Sequence, residues 1–230
     1  MAVGGLAVVC GAAGGLGPAV LRDLDAAGWR LVAVASHRRP LVSLAAIHAG
    51  AHWEQADLTD PDDVAALWGR IDERGETPTA LVNLTGGFVA GGVTDAGRAD
   101  LNRMLAVNLE APWWACREAA RRMAASGGGA IVNVGSRAGL SGTPAASAYA
   151  VSKAALHRLT EVLAAELRPA GIRVNAVVPT TIDTAANRAW MSPGQRAAAV
   201  PPELIAAAVR FLCDGASAGV TGALIPVPGL

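Results

Sequence analysis

Lysine and tyrosine are almost absent from this chain of 230 residues, which holds one of each, Lys153 and Tyr149. Every other basic side chain is an arginine, and the remaining aromatics are six tryptophans and two phenylalanines. Cysteine is scarce too. Cys10, Cys116 and Cys213 are far apart and odd in number, with no Cys-x-x-Cys and no cysteine-histidine cluster at zinc spacing. That pattern excludes a disulfide framework and a structural zinc site, and it predicts a reducing, cytoplasmic setting. His48 and His52 are four apart, but Gly50 between them is expected to end a helix there, which argues against a shared metal. Charge of one sign is also missing. With 19 basic and 19 acidic residues and a pI near 6.9, no field favours nucleic acid or an acidic membrane as partner. The opening stretch is uncharged as far as Arg22, yet it has no basic start and is broken by six glycines and Pro18. It therefore reads as neither a signal peptide nor a membrane span.

What is present is apolar and periodic. Hydrophobic residues make up 52% and charged ones 17%, which suits one globular domain over residues 1–230 with a core of its own. Short β-rich runs alternate with amphipathic stretches, the pattern of a mostly parallel sheet with helices on both faces. The runs are Leu6 to Cys10, Leu31 to Ala35, Ala51 to Glu54, Ala80 to Leu84, Ile131 to Val134, Val174 to Val178 and Leu224 to Val227. Leu16, Val20 and Leu24 mark a helix that stops near Gly28. Asp60-Pro61-Asp62-Asp63 is a helix start, with a capping acid, a first-turn proline and acids at the positive end of the dipole. Long helices are predicted over about 99–125, kinked at Pro112, and about 146–168, with a shorter one over 202–212. The fold class is thus α/β, a doubly wound seven-stranded sheet of Rossmann type.

Gly11-Ala12-Ala13-Gly14-Gly15-Leu16-Gly17 lies between the first strand and the first helix. A dinucleotide needs glycine there, because its pyrophosphate must come close to the backbone and to a helix N-terminus. Tyr149 and Lys153 stand four apart on a predicted helix, so phenol and ammonium share one face. Chemistry at a carbonyl needs a proton donor, and a nearby cation favours the phenolate and lowers its pKa. Ammonium kept here, in a chain that otherwise uses guanidinium, is consistent with a geometry arginine cannot reproduce.

Taken together these motifs resemble the short-chain dehydrogenase/reductase family over nearly the whole chain. Gly11-x-x-x-Gly15-x-Gly17 is similar to its cofactor turn and Tyr149-Ala150-Val151-Ser152-Lys153 to its Tyr-x-x-x-Lys motif. Ser136 lies 13 residues before Tyr149, the spacing of the family's substrate-orienting serine. Asn108 resembles the asparagine that supports its water-linked proton relay. The resemblance therefore implies a catalytic tetrad of Asn108, Ser136, Tyr149 and Lys153. It also implies cofactor contacts from Gly11, Gly14, Gly15, Leu16 and Gly17, from the acidic pair Asp57-Leu58, and from Asn83, Thr85 and Gly86. Tyr149, Lys153, Pro179, Ile182 and Thr184 complete the nicotinamide side. No acid ends the second strand. Ser36 and Arg38 follow it instead, where a 2′-phosphate would find donors and charge, so NADP(H) is favoured and NAD(H) is the alternative. Gly14 stands where the family often has a basic residue. Cys10, Leu84, Thr85, Thr180 and the Val227-Pro228-Gly229-Leu230 ending also depart from the family pattern.

The implied activity is hydride transfer between the nicotinamide cofactor and a small-molecule carbonyl or alcohol substrate. A 3-oxoacyl reductase and a non-catalytic nucleotide-binding regulator of the same fold are the alternatives. Residues 180–200, with Trp190 and Met191, are expected to form a lid over the substrate. The helices around Asn108 and Tyr149 resemble those that pair subunits in this family, implying a homotetramer or dimer.

Overall fold

The computed structural model describes residues 4–36 and 41–229. Its centre is the strand β1 (Leu6–Cys10), in which all five residues are buried. Alternation along that strand serves two cores. Leu6, Val8 and Cys10 face one side, and Ala7 and Val9 face the other. A strand buried on both faces must be apolar throughout, which is why LAVVC reads as a continuous run rather than as an alternating one.

The chain next forms α1 (Gly17–Ala26), β2 (Arg30–Ala35), the short α2 (Leu41–Ala45), β3 (His52–Gln55) and α3 (Pro61–Asp72). It continues through β4 (Pro78–Asn83), α4 (Arg98–Leu105), α5 (Ala111–Ala125) and β5 (Gly129–Val134). Then come α6 (Ser147–Leu167), β6 (Ile172–Pro179), the short helices α7 (Ala185–Arg188) and α8 (Pro193–Ala197), α9 (Pro202–Cys213) and β7 (Leu224–Val227). The seven strands lie in the order β3-β2-β1-β4-β5-β6-β7, and every pair is parallel. Helices α3 and α5 cover the Val8 side through Leu67, Trp68, Ala115 and Met123. Helices α1 and α9 cover the Val9 side through Leu21, Leu24, Ile205 and Val209.

This order places the functional end of the molecule. The chain winds outward from β1 to β3 and then returns to put β4 on the other side of β1. The carboxyl ends of β1 and β4 therefore diverge into loops at a topological switch point, where open α/β sheets bind ligands. Cys10 and Asn83 are direct partners in register, so the glycine turn and the Leu84–Gly87 loop leave the sheet side by side.

Two expectations change in detail. The helix predicted over 99–125 is two helices separated by a wide π-type turn, Ala106–Glu110. Pro112 has no N–H to give the carbonyl of residue 108, and the Ala111 N–H reaches back to Ala106 instead. The helix expected to end near Gly50 ends earlier, at Ala45. His48 turns toward Asp25, 3.2 Å away, while His52 on β3 meets Glu54 at 2.9 Å, so the pair does not share a face.

The cap predicted for α3 is present, with the Asp60 carboxylate accepting the Asp62 N–H at 2.9 Å. Replacing it in Asp60→Ala should cost about 1 kcal/mol, read as a lower urea midpoint at unchanged slope. An unchanged midpoint would show that the cap is redundant with Pro61.

Candidate functional site

The glycine turn owes its shape to three close approaches. Gly11 has φ +75°, and a Cβ there would lie 2.8 Å from the backbone nitrogen of Thr85. At Gly17 a Cβ would fall 1.8 Å from the carbonyl oxygen of Ala12. At Gly15 it would meet the Thr184 side chain at 2.8 Å. The first two press the turn against its own backbone and the end of β4, and the third brings in the start of the 180–200 segment. Helix α1 begins here with Pro18 in its first turn and no side-chain cap. Apart from the Gly17 N–H, which the Gly14 carbonyl takes at 3.1 Å, its leading N–H groups are left to face an anion. Beside them the Thr85 hydroxyl is buried with no hydrogen-bond partner among the described residues. An open helix start, a cradle that side chains would fill and an orphaned hydroxyl fit a bound pyrophosphate-containing cofactor.

The other predicted cofactor contacts divide. Ser36 lies exposed at the end of β2, and Arg38 lies outside the described residues. The Asp57 carboxylate accepts from the backbone and hydroxyl of Thr59 at 3.0 and 2.7 Å, while the Leu58 side chain is packed into the core. Pro179 ends β6, and Ile182 pairs with Val200 in an isolated bridge that closes the base of the 180–200 segment. Asn83 is a correction. Its side chain is 1% exposed and turns inward, donating to Asn133 at 2.8 Å and to Cys116 at 3.3 Å. Even-odd alternation along β4 points position 83 to the Cys116 side of the sheet, leaving the cleft to Thr85 and Gly86.

The four residues of the expected tetrad come from three elements and meet over the ends of β4 and β5. Ser136 follows β5 and caps a short helical turn, Arg137–Gly139, by accepting the Ala138 N–H at 3.2 Å. Tyr149 and Lys153 project from α6, and the Tyr149 phenol stands close enough to the Ser136 side chain for the serine to favour its ionised form. The Lys153 ammonium is 5% exposed and donates to the Val134 carbonyl at 2.8 Å. Asn108 sits in the π-type turn. Its amide nitrogen donates to the Gly87 carbonyl at 3.1 Å and to Ser152 at 3.0 Å, and its oxygen accepts the Gly87 N–H at 3.0 Å. Gly86 lies between two of the four, since a Cβ there would be 2.9 Å from Asn108 Oδ1 and 3.3 Å from Lys153 Nζ.

Burial dominates the electrostatics of the site. It raises the Tyr149 phenol above its ordinary value, and the neighbouring Ser136 side chain pulls it back. Burial lowers Lys153 itself to about 8.

Three side chains were not singled out from the sequence. Phe88 meets the Tyr149 ring edge-on, with centroids 5.0 Å apart at 74°. Ser152 ties Asn108 to α6, donating in turn to the Tyr149 carbonyl at 2.8 Å. His157 lies one helical turn beyond Lys153 and accepts the Ser136 N–H at 3.3 Å. Its spacing of eight from Tyr149 placed it on the same face, a signal obscured by treating the histidines only as metal ligands.

A sequence profile for short chain dehydrogenase matches residues 5–193. The chain belongs to the short-chain dehydrogenase family. It is an oxidoreductase that transfers hydride between a nicotinamide cofactor and an alcohol or carbonyl substrate. Galactitol 2-dehydrogenase of Rhizobium johnstonii is 41% identical over 74% of this chain and 72% of its own length. The L-tagatose-forming galactitol 2-dehydrogenase of Cereibacter sphaeroides is 33% identical over 98% of this chain and 94% of its own. Among solved structures, ElxO with NADP bound superposes with a TM-score of 0.91 at 22% identity, covering 97% of each chain. At that identity the likeness is one of fold.

The buried ammonium has a measurable cost. A free lysine titrates near 10.5 and this one near 8, so below pH 8 the folded protein carries the full desolvation penalty. Between those values the unfolded chain binds more protons, and stability rises with pH. Lys153→Met should therefore stabilise the nucleotide-free protein at neutral pH by on the order of a few kcal/mol, less what the Val134 carbonyl loses. The gain should shrink as pH rises through that window. Urea unfolding across a pH series tests this, and a variant less stable than wild type at pH 7 would contradict it.

Proposed function

We propose that this oxidoreductase works with NADP(H) and that Tyr149 exchanges the proton with the reacting oxygen. The observation that carries the reading is the convergence of Ser136 on the Tyr149 phenol, with the buried Lys153 ammonium one helical turn beyond. When bound, the nicotinamide supplies or accepts the hydride. In the reducing direction, Ser136 and Tyr149 together hold the substrate oxygen, and Tyr149 gives it the phenolic proton. In the oxidising direction, the phenolate takes that proton back. Lys153, with ammonium and a carbonyl contact already in the cleft, holds the ribose side and carries the charge that favours the phenolate. Asn108 keeps the Gly86-Gly87 loop in place, and the π-type turn around it leaves a carbonyl that Pro112 cannot serve, a natural seat for a relay water.

On the cofactor side, Gly11, Gly14, Gly15, Leu16 and Gly17 cradle the pyrophosphate, and Thr85, Gly86, Pro179, Ile182 and Thr184 line the nicotinamide end. Asp57 and the Leu58 backbone flank the adenine. Ser36 and Arg38 favour a 2′-phosphate, in keeping with the lack of an acid at the end of β2. The substrate is a small alcohol or carbonyl compound admitted between Phe88 and the 180–200 segment, where Trp190 is 59% exposed. Leu101, Trp113 and Val162, exposed on α4, α5 and α6, support pairing with a second copy of the chain. The three cysteines are buried and unpaired, in keeping with a cytoplasmic setting.

Two measurements test the proposal. Titration with NADPH and NADH, followed by tryptophan fluorescence, should show tighter binding of NADPH. Ser36→Asp should reverse or erase that preference, and an NADH preference in the wild type would overturn the assignment. A panel of polyols, alicyclic alcohols and the matching ketones should give turnover with at least one class. On that substrate Tyr149→Phe should lower kcat by orders of magnitude while nucleotide binding persists. Tight nucleotide binding without turnover across the panel would instead favour a regulator of the same fold.

A further inference from the structure

One buried, titratable side chain beside the site has no part in the chemistry above. His157 is 4% exposed, lies on α6, and accepts the Ser136 N–H through Nε2 at 3.3 Å. Room for the ring is made by two glycines. A Cβ at Gly135 would fall 2.2 Å from His157 Nε2, and one at Gly139 would fall 2.8 Å from His157 Cε1. These glycines bracket the turn that carries Ser136. The imidazole thus occupies a slot that any larger residue at either position would close.

The tautomer follows from the donor. Because the Ser136 N–H points at Nε2, that nitrogen must be unprotonated, and the ring proton belongs to Nδ1. Nδ1 is buried without a hydrogen-bond partner among the described residues, and the Gly139 backbone stands near the ring at Cε1. The ring therefore spans the turn from Ser136 to Gly139.

We propose that neutral His157 is a positioning residue for the reaction, gripping the Ser136 turn so that the serine hydroxyl stays on Tyr149. The inference rests on the Ser136–Tyr149 reading above and adds what holds Ser136 there. Protonation would set an Nε2–H against the Ser136 N–H and release the turn. Burial and the Lys153 ammonium hold the imidazole neutral, against weaker opposing pulls from the Gly139 backbone and from Glu161. The charged groups acting on it, Lys153 and Glu161, both lie on α6. From β5 and the turn it meets the Gly135, Ser136 and Gly139 backbone.

Tyr149 is the single tyrosine of the chain, so tyrosinate absorbance of the nucleotide-free protein reads its ionisation directly and needs no substrate. The Ser136 side chain beside the phenol favours its ionised form. Losing the hydroxyl in Ser136→Ala should raise the Tyr149 midpoint, and His157→Leu should raise it by the same increment. The double variant should go no further, and His157→Gln, which keeps an acceptor, should stay near wild type. Circular dichroism confines the comparison to the folded range. A His157→Leu midpoint equal to wild type while Ser136→Ala is raised would overturn the positioning role and leave the Ser136–Tyr149 contact standing. An unmoved midpoint in Ser136→Ala would overturn both. If His157→Leu does not fold, nitrogen-15 NMR of the wild type decides. The Ser136 amide resonance should shift in step with protonation of His157, and an amide indifferent to that titration would refute the proposal.

Discussion

A cation buried in the cleft is the constraint to which the rest of the site is fitted. The Lys153 ammonium, almost wholly removed from water, has the Val134 carbonyl as its partner. That one contact ties α6 to the end of β5 and so fixes where Tyr149, one helical turn earlier, can stand. Burying a charge against a neutral carbonyl is costly, and its depressed pKa records the cost. The cost is tolerable because the parallel sheet beneath it is apolar on both faces and supplies large compensating burial. The protein thus carries local instability where function needs a charge.

Around the ammonium, backbone substitutes for side chain. Gly86 leaves space between Asn108 and Lys153, while Gly135 and Gly139 leave space for the His157 ring. Gly11 and Gly17 let the first turn fold onto Thr85 and Ala12. In each place a missing Cβ allows two groups of different elements to come within contact distance. Asn108 achieves the same end through Pro112 and the π-type turn, which swings an amide off the regular helix and into the Gly86-Gly87 loop.

The sheet was legible because β1 and its parallel neighbours are continuous apolar runs, and because Asp60-Pro61 and Gly28 punctuate the helices where the structure ends them. The split between α4 and α5 was less legible. Proline 112 signalled an irregularity, but its form depends on which carbonyl the Ala111 N–H reaches once the helix packs. Asn83 was misread for a related reason. Its position after a strand beside the glycine turn points to the cleft, while the pleat directs its side chain to Cys116 and Asn133.

The sequence by itself determined the family and the doubly wound fold, because periodicity, caps and a Gly-x-x-x-Gly-x-Gly turn are local properties that survive without any partner. It also placed Tyr149 and Lys153 on one helical face, since a spacing of four does so in any α-helix. The tertiary structure alone decided that Lys153 is buried against Val134, that Ser136 stands beside the phenol, and that His157 stands behind Ser136. Those relations join segments that are distant along the chain. Desolvation and hydrogen-bond direction, which set their chemistry, come into being only when the helix packs onto the ends of the strands.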